Sequence, residues 1–377
     1  MNNIYLDYAS TTPTDPQVVE AMEPYFFRKF GNASSPHTAG REAGRALEES
    51  RQTLASFLGA RPEEIVFTSG ATESNNHAIY GVARASRGKH IIVSSIEHHS
   101  VLEPVNALRK AGYRVTSIPV DPQGGIDPQL VRQAINQETC LIALMHASNE
   151  IGTIQPAASI GSMAREHKIP FLVDAVQTVG HLPVQVDDLK ADLLSLSAHK
   201  FYGPKGIGAL YVRQGLKLDS LLLGGDQEKS RRASTQNVAG AVGMARAIEL
   251  CRENMANEER TQSQWRDKII HYVLNRIEGA RLNGHPKQRL PNNAHFSFEK
   301  VEGESLLMGL DMQGICCSMG SACTSGAMEP SHVLRAIGLS DELAFGALRV
   351  TLGRFTAEDE IDLFLDRLPV IIDSLRI

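Results

Sequence analysis

A lysine in the middle of the chain has the surroundings of a reactive amine. Lys200 closes the segment Ser197–Lys200, which follows the apolar run Leu193–Leu196. A lysine that emerges at the end of a buried strand is largely desolvated, so it loses its charge readily and can form a Schiff base with an aldehyde. The alternative is a surface lysine in a turn that contains glycine and proline, an interpretation that suits the neighbouring Lys205 better.

Asp174 lies at the end of another apolar run, Phe171–Val173. A carboxylate in that position is costly unless it has a cationic partner. A protonated pyridine nitrogen is such a partner, and pairing with it keeps the aromatic ring an effective electron sink. The alternative is that Asp174 caps the helix that follows the strand.

A third segment, Phe67–Glu73, comes straight after a strand-like run and begins a helix-like one. Its backbone N–H groups, the Thr72 hydroxyl and the positive end of the helix dipole would hold a phosphate. Taken alone, an ordinary helix cap with a first-turn acid explains the segment equally well. Together with Lys200 and Asp174 it completes the three anchors that pyridoxal phosphate (PLP) needs, which are a phosphate cradle, a pyridinium partner and a Schiff-base lysine.

The elements that must position these residues alternate between short apolar strands and amphipathic helices, from about residue 60 to about residue 215. Strands buried on both faces and separated by helices indicate a mostly parallel sheet, in which ligands sit at the carboxyl ends of the strands. After about residue 240 a long helical stretch and isolated strands predict a smaller α+β domain. The strand-like runs are Ile65–Phe67, His90–Val93, Tyr113–Thr116, Leu141–Leu144, Phe171–Val173, Asn293–Phe298 and Leu348–Leu352. We expect a large PLP-binding domain over residues 15–258 and a small domain formed by residues 1–14 and 259–377.

Composition narrows the class of protein. The chain has 377 residues and a formal net charge of −5, and its basic runs are short, such as Arg231-Arg232, whereas a dedicated nucleic-acid surface needs clustered basic residues. The N-terminal sequence resembles neither a signal peptide nor a transit peptide, and no apolar run approaches the roughly 18 residues of a membrane span. We therefore expect a cytoplasmic protein that binds neither nucleic acid nor a membrane directly.

The five cysteines lack the spacing of metal ligands, so we expect no metal site. A disulfide scaffold is not expected in a cytosolic protein of this size. Cys140 and Cys251 lie in apolar contexts and are expected to be small buried core residues.

Cys323 differs from the other cysteines. It lies in Ser318–Gly326, which has little to bury and several permissive residues, so we expect a mobile loop. Cys316 and Cys317 follow an apolar helical stretch, where at least one should be buried and slow to react. Exposure and mobility therefore favour Cys323 as a nucleophile.

The order of these motifs and their amino-acid sequences resemble those of the NifS/IscS-type cysteine desulfurases, within the aminotransferase class V group of PLP enzymes. The resemblance runs from Ile4–Ala9 to Leu352–Phe355, nearly the whole chain. Its most specific pieces are Thr68–Glu73, Asn149–Gly152, Asp174–Gln177, His199-Lys200 and Ser321–Gly326. It implies an α/β PLP-dependent transferase of fold type I, like aspartate aminotransferase, that takes sulfur from L-cysteine. Alanine would be released, and a persulfide on Cys323, in the small domain, would pass the sulfur to an acceptor protein.

The resemblance also implies a role for individual residues around the cofactor. Those implied at its phosphate are Ala71, Thr72, Ser197 and His199. His98 would stack on the ring and shuttle protons, Asp174 would pair with the pyridine nitrogen, Gln177 would bond the ring hydroxyl, and Lys200 would hold the aldehyde and move the substrate α-proton. From the residues alone, His98 is a histidine at a helix start without a ligand.

The remaining implied roles concern the substrate and a second subunit. Asn149 would lie beside cofactor and substrate, and Arg349 would take the substrate carboxylate with its planar fork, although a surface ion pair explains Arg349 as well. Thr235 would reach the phosphate held by the other subunit of a homodimer. The family usually has glycine where this chain has Ser234, so a turn there would be strained if it needs a positive φ. The chain ends without the longer tail that many members use to dock a scaffold, which puts delivery through such a tail in doubt.

Other functions fit part of this pattern. A PLP transaminase or a selenocysteine lyase would keep Lys200 and Asp174, but the transaminase would not need Cys323. A non-catalytic sulfur-carrier or partner-binding protein would purify without a coloured cofactor. The final acceptor, whether an iron–sulfur scaffold, a tRNA-thiolation enzyme or DNA-modification machinery, is not encoded in these motifs.

Overall fold

The computed structural model describes residues 3–320 and 329–376. The strands are β1 (Ile4–Tyr5), β2 (Ile65–Thr68), β3 (His90–Ser94), β4 (Arg114–Ile118), β5 (Thr139–Met145), β6 (Phe171–Asp174), β7 (Leu193–Ser197), β8 (Gly208–Val212), β9 (Ala280–Asn283), β10 (Asn293–Phe298), β11 (Ile315–Cys316) and β12 (Ala347–Thr351). The helices are α1 (Pro16–Met22), α2 (Pro24–Phe27), α3 (Thr38–Leu58), α4 (Ala71–Ala85), α5 (His99–Lys110), α6 (Pro128–Ala134), α7 (Ala157–Glu166), α8 (Val238–Arg276), α9 (Gly303–Asp311), α10 (His332–Ala336), α11 (Asp341–Phe345) and α12 (Glu358–Leu375). Within these two ranges, no helix combines the length and the apolar character needed to span a membrane.

A seven-stranded sheet with the order β2-β8-β7-β6-β5-β3-β4 forms the centre of the larger part of the molecule. Strands β4, β3, β5, β6 and β7 pair in parallel, and only β8 runs antiparallel to both of its neighbours, β2 and β7. The predicted α/β class with a mostly parallel sheet is therefore confirmed. Strand β8 was not predicted from the sequence.

Helices cover both faces of this sheet because alternate strand residues point to opposite sides. Val66, Ile91 and Leu141 pack with α4 and α5 on one face. On the other face, the next residues along the same strands pack with α3, α7 and the first half of α8. Cys140 and Cys251 are buried in these two layers, as predicted.

A second core lies around the antiparallel sheet β12-β10-β9 and the short parallel pair of β1 and β11. Helices α9 and α12 and the last turns of α8 pack on it. The 39-residue helix α8 thus contributes to both cores. The predicted boundary between residues 258 and 259 falls inside this continuous helix and stays a prediction.

The N-terminal segment connects the two cores at the carboxyl edge of the large sheet. The Ala9 N–H donates to Thr351 Oγ1 at 3.0 Å, and the Thr12 N–H donates to the carbonyl of His199 at 2.9 Å. At that same edge, β5, β6 and β7 end side by side. The first residues of the chain therefore lie against the strand ends that carry Asp174 and Lys200.

Leu6 provides a test of this arrangement, because it is completely buried in the second core although it lies near the start of the chain. We expect Leu6→Ala to lower the free energy of unfolding by about 3 kcal/mol, since a fully buried leucine is removed and a cavity remains. Urea denaturation followed by circular dichroism measures this. Leu223→Ala is the matched control, because Leu223 is 87% exposed and the change there should be within about 0.5 kcal/mol. Equal effects for the two variants would contradict the placement of the N-terminal segment.

Candidate active site

Lys200 lies in a short 3₁₀ turn directly after β7, as the sequence predicts. Its Nζ donates hydrogen bonds to the backbone carbonyls of Ala9 at 2.6 Å and Ser10 at 2.7 Å. Loss of water around the amine lowers the pKa of Lys200 from 10.5 to about 8, and the positive charge of the nearby Arg349 adds to this effect. About a tenth of the amine is therefore uncharged near pH 7 and able to act as a nucleophile or base.

Asp174 ends β6 with a buried carboxylate. One oxygen accepts a hydrogen bond from Asn75 Nδ2 at 2.8 Å, and the other accepts the Val176 N–H at 3.1 Å. Within the part of the chain that the structure describes, no lysine, arginine or histidine forms an ion pair with it. A buried carboxylate held by two neutral donors has the capacity to bind a cationic N–H group.

His98 caps the start of α5, where its Nδ1 accepts the Ser100 N–H at 3.0 Å. Nε2 is therefore the ring nitrogen left to carry the proton. Desolvation lowers the pKa of His98; Asp174 opposes this effect and Lys200 reinforces it, so the three groups lie close enough to influence one another. His98 and Thr72 line a pocket of about 460 Å³ between α4 and α5.

The segment that was predicted to cradle a phosphate lies where β2 leads into α4. Gly70 precedes the helix with a φ of +155°, a conformation that only glycine adopts readily. The N–H groups of Ala71 and Thr72 have no acceptor among the described residues, and the helix dipole adds positive potential there. A Cβ atom at Gly70 would lie 3.6 Å from Ser197 Oγ, so the Ser197 hydroxyl reaches the same place. The geometry suits an anion.

Arg349 projects from β12 and is only 2% exposed. Its Nη2 donates to Asp7 Oδ1 at 2.8 Å and Ser10 Oγ at 2.7 Å, and its Nη1 donates to the carbonyls of Asn149 at 2.9 Å and Gly320 at 3.3 Å. Its Nε is buried and has no partner among the described atoms. To bind a carboxylate with both terminal nitrogens, Arg349 would have to exchange at least one of these contacts.

Three further predicted residues lie around the same edge of the sheet. Gln177 is buried and donates from Nε2 to the carbonyl of Ala9 at 3.0 Å. His199 Nδ1 lies 3.1 Å from Thr11 Oγ1, and burial lowers the pKa of His199 to about 4. Asn149 is half-buried beside Arg349, which it contacts through its carbonyl. The structure thus places these side chains near Lys200.

Among the described residues predicted for the site, Thr235 differs from the others because it is not placed beside Lys200 of its own chain. It is exposed, in a segment that crosses the outer edge of β2 and is fastened to the first turn of α4 by the Arg232–Glu73 ion pair. Ser234 has a φ of +97°, so the strain expected from a serine in place of glycine is present.

The predicted nucleophile Cys323 lies outside the described residues. Ser318, which the sequence analysis included in a mobile loop, instead forms an isolated antiparallel bridge with Arg349. Cys316 and Cys317 are both half-buried by side-chain exposure, and Cys317 packs against the second core, so the expected burial of at least one of them is found in part. Burial nevertheless raises the pKa of both thiols, which keeps them in the less reactive protonated form.

Two residues that sequence reasoning did not assign complete the site. Asp7 is the ion-pair partner of Arg349, and Asn75 is the side-chain donor to Asp174. Asn75 lies in the helix just after the cradle motif, and its position one turn after Ala71 was a usable signal. No local pattern links Asp7 to Arg349, because they are neighbours only in the folded chain.

Three features of the described site match the chemical groups of PLP. A buried carboxylate lacks a cation, an amine has a lowered pKa, and a helix start presents unpaired N–H groups next to a hydroxyl. These are the partners that a pyridinium nitrogen, an aldehyde and a phosphate require.

Comparison with known proteins finds similarity along nearly the whole chain. A family model described as aminotransferase class-V matches residues 4–364. The chain is 53% identical over 375 residues to the cysteine desulfurase IscS of Dictyoglomus turgidum, covering 99% of this chain and 95% of that protein. It is similar to a solved NifS-like protein with a TM-score of 0.93 and 36% identity, covering 99% of this chain and 100% of that one. A structure described as SspA in complex with cysteine has a TM-score of 0.84 and 38% identity, covering 94% and 100% of the two chains.

The lowered pKa of Lys200 can be measured directly on the protein without cofactor. Acetic anhydride acetylates only uncharged amines and carries no titrating group itself, so we expect modification of the Lys200 peptide to rise with pH with a midpoint of about 8 rather than 10.5. Below that midpoint Lys200 is protonated and should be protected. Mass spectrometry after short exposures at a series of pH values gives the curve. A midpoint close to 10.5 would show that the amine is fully hydrated.

Proposed function

We propose residue roles from the premise that the chain belongs to the aminotransferase class-V family and is, within it, a PLP-dependent cysteine desulfurase. It takes sulfur from cysteine. The family, the fold, the cofactor and the activity expected from the sequence are thereby confirmed. The parts played by individual residues, the acceptor and the assembly are our proposal.

One observation supports the assignment of the site above the others. Lys200, whose amine has a lowered pKa, directly follows strand β7, and Asp174 ends the adjacent strand β6. The Asp174 carboxylate has no ion-pair partner among the described residues. A desolvated amine and a buried carboxylate each destabilise the folded protein when no ligand is bound. Both become favourable when one ligand supplies an aldehyde to the first and a protonated ring nitrogen to the second.

We assign the cofactor contacts as follows. The N–H groups of Ala71 and Thr72, the Ser197 hydroxyl and His199 would hold the phosphate. His98 would lie against the ring, with Asp174 at its nitrogen and Gln177 at its hydroxyl. Lys200 would hold the aldehyde. When bound, the cofactor supplies an electron sink that stabilises negative charge on the substrate.

The chain's own groups would perform the proton and sulfur transfers. Lys200 Nζ, with its lowered pKa, would accept the proton from the substrate α-carbon. The Cys323 thiolate would then attack the substrate sulfur. A sulfur–sulfur bond forms as the carbon–sulfur bond of the substrate breaks, and the electron pair stays with the carbon side, which takes up a proton. The products are alanine and a persulfide on Cys323.

Arg349 and Asn149 would orient the substrate. Arg349 is held in place by Asp7 and Ser10, so its fork is fixed before substrate arrives. We propose that the substrate carboxylate exchanges with one of these existing contacts. The solved SspA structure, which is in complex with cysteine, supports cysteine as the substrate class.

We further propose that the persulfide sulfur passes to an acceptor protein in the cytoplasm. The four described cysteines are free thiols, as expected in a reducing compartment, where a persulfide acceptor with a free thiol also persists. The active unit would be a homodimer. Phe26, Phe27 and Phe30 are 65%, 58% and 73% exposed within five residues, which favours a surface that a second copy covers.

Cys323→Ala tests the catalytic assignment. We expect this variant to bind PLP and cysteine but to form no persulfide and to transfer no sulfur, because the attacking thiolate is gone. Cys316→Ala and Cys317→Ala should keep most of the activity and lose about 1 kcal/mol or less of stability. Lys200→Ala, by contrast, should lose both the visible absorbance of attached cofactor and the release of alanine. Mass spectrometry after cysteine treatment decides the point, and sulfur added to the Cys316/Cys317 peptide with Cys323 unmodified would overturn it.

The proposed homodimer is tested at the exposed phenylalanines. We expect the double variant Phe27→Asp/Phe30→Asp to sediment as a monomer and to lose most of its activity, because charge replaces the apolar surface that a partner covers. Met308→Asp is the matched control, since Met308 is 68% exposed on the second core and should leave the dimer intact. A fully active monomer at working concentration would contradict the proposal.

A further inference from the structure

The segment from Asp226 to Thr235 has an unusual backbone. Three consecutive residues that are not glycine, Glu228, Lys229 and Ser230, have left-handed φ values of +48°, +58° and +61°. Each is unfavourable for a residue with a Cβ atom, and such residues rarely occur in succession. A conformation of this kind persists only when its surroundings fix it.

A buried ion pair provides that restraint. Glu228 receives two hydrogen bonds from Arg51 of α3, at 2.7 and 2.9 Å, and its side chain is only 2% exposed. The same carboxylate accepts the Phe67 N–H at 2.9 Å, while Arg51 donates to the carbonyl of Ile65 at 2.8 Å. These two backbone groups lie on the open edge of β2. The pair therefore occupies the place of a neighbouring strand and fixes the segment to the strand that leads into the phosphate cradle.

A second ion pair holds the other end of the segment. Arg232 donates from Nε and Nη2 to Glu73 at 2.8 and 3.1 Å, and Glu73 also accepts the Ser69 N–H at 2.8 Å. Glu73 lies in the first turn of α4, next to Thr72. Between these two fixed points and the start of α8 only a short stretch remains, and it presents Thr235 to solvent.

We propose that Arg51 and Glu228 are positioning residues that hold Thr235 where it reaches the cofactor phosphate of the partner subunit. This rests on the proposed function, in which Thr235 serves the other site of the homodimer. The strained turn needs a rigid, two-pronged contact, which the fork of Arg51 supplies and a lysine could not. A defect in this pair should therefore weaken the partner's site and leave the site of its own chain intact.

Hybrid dimers with differently tagged chains separate these two sites. In the first hybrid, a wild-type chain pairs with a chain carrying Lys200→Ala and Glu228→Gln, so the intact site receives Thr235 from the altered chain. In the second, a Lys200→Ala chain pairs with a Glu228→Gln chain, so the intact site receives Thr235 from a chain with normal Glu228. The readout is the dissociation constant of PLP at the intact site, followed by absorbance during dilution.

We expect cofactor binding about tenfold weaker in the first hybrid than in a reference dimer of wild-type and Lys200→Ala chains, and unchanged in the second. Arg51→Lys in place of Glu228→Gln should show the same asymmetry. Glu249→Gln is the control, since it removes a partly exposed ion pair with Arg246, away from this segment, and should change neither hybrid. Urea unfolding of each variant reports any general loss of stability, which would affect both hybrids equally.

The same two hybrids are then made with Thr235→Ala in place of Glu228→Gln. They test whether Thr235 acts across the dimer, separately from whether Glu228 positions it. If Thr235→Ala shows the asymmetry and Glu228→Gln weakens both hybrids equally or neither, the positioning role is overturned and the role of Thr235 stands. If Thr235→Ala shows no asymmetry, the contribution of Thr235 across the dimer fails, and the positioning role fails with it.

Discussion

The site depends on a positive charge buried where water cannot reach it. Arg349 is stable there because Asp7 supplies the opposite charge and because Ser10, Asn149 and Gly320 accept further hydrogen bonds from its two terminal nitrogens. These partners come from the start of the chain, the loop after β5 and the end of the segment after β11. Removing any one of them leaves part of a buried guanidinium unsatisfied, so one side chain fixes three separate parts of the chain relative to one another. The N-terminal segment, once fixed, presents the two carbonyls that hold Lys200.

The electrostatics around Lys200 follow from which groups carry charge. Burial lowers the pKa of His181 and His199 to about 4 and raises the pKa of Glu97 to about 8, so these three are neutral at neutral pH. After desolvation, the groups that set the pKa of Lys200 are Arg349, which lowers it, and Asp7 and Asp174, which raise it. Because the surrounding side chains are neutral and screen charge poorly, each of these charges has a larger effect on the pKa of Lys200.

The parts of the site that sequence could predict are those with a local signature. Lys200 and Asp174 are polar residues that end apolar runs, and the cradle is a turn between a strand and a helix. The Arg349–Asp7 ion pair has no such signature, since its members meet only after both cores form. Strand β8 was missed because it follows a turn rich in glycine. The left-handed run at Glu228 contradicts local propensity, and only the distant Arg51 accounts for it.

The pairing of β1 with β11 affects how the protein folds during its synthesis on the ribosome. Ile4 pairs with Ile315, so β1 has no strand partner among the described residues until β11, far along the sequence, has been made. At ordinary rates of translation this interval lasts on the order of tens of seconds. During it, Leu6 lacks the strands that bury it in the second core. The large sheet can fold during this interval, whereas the Arg349–Asp7 ion pair, which fixes the N-terminal segment, forms only after β12 has been made.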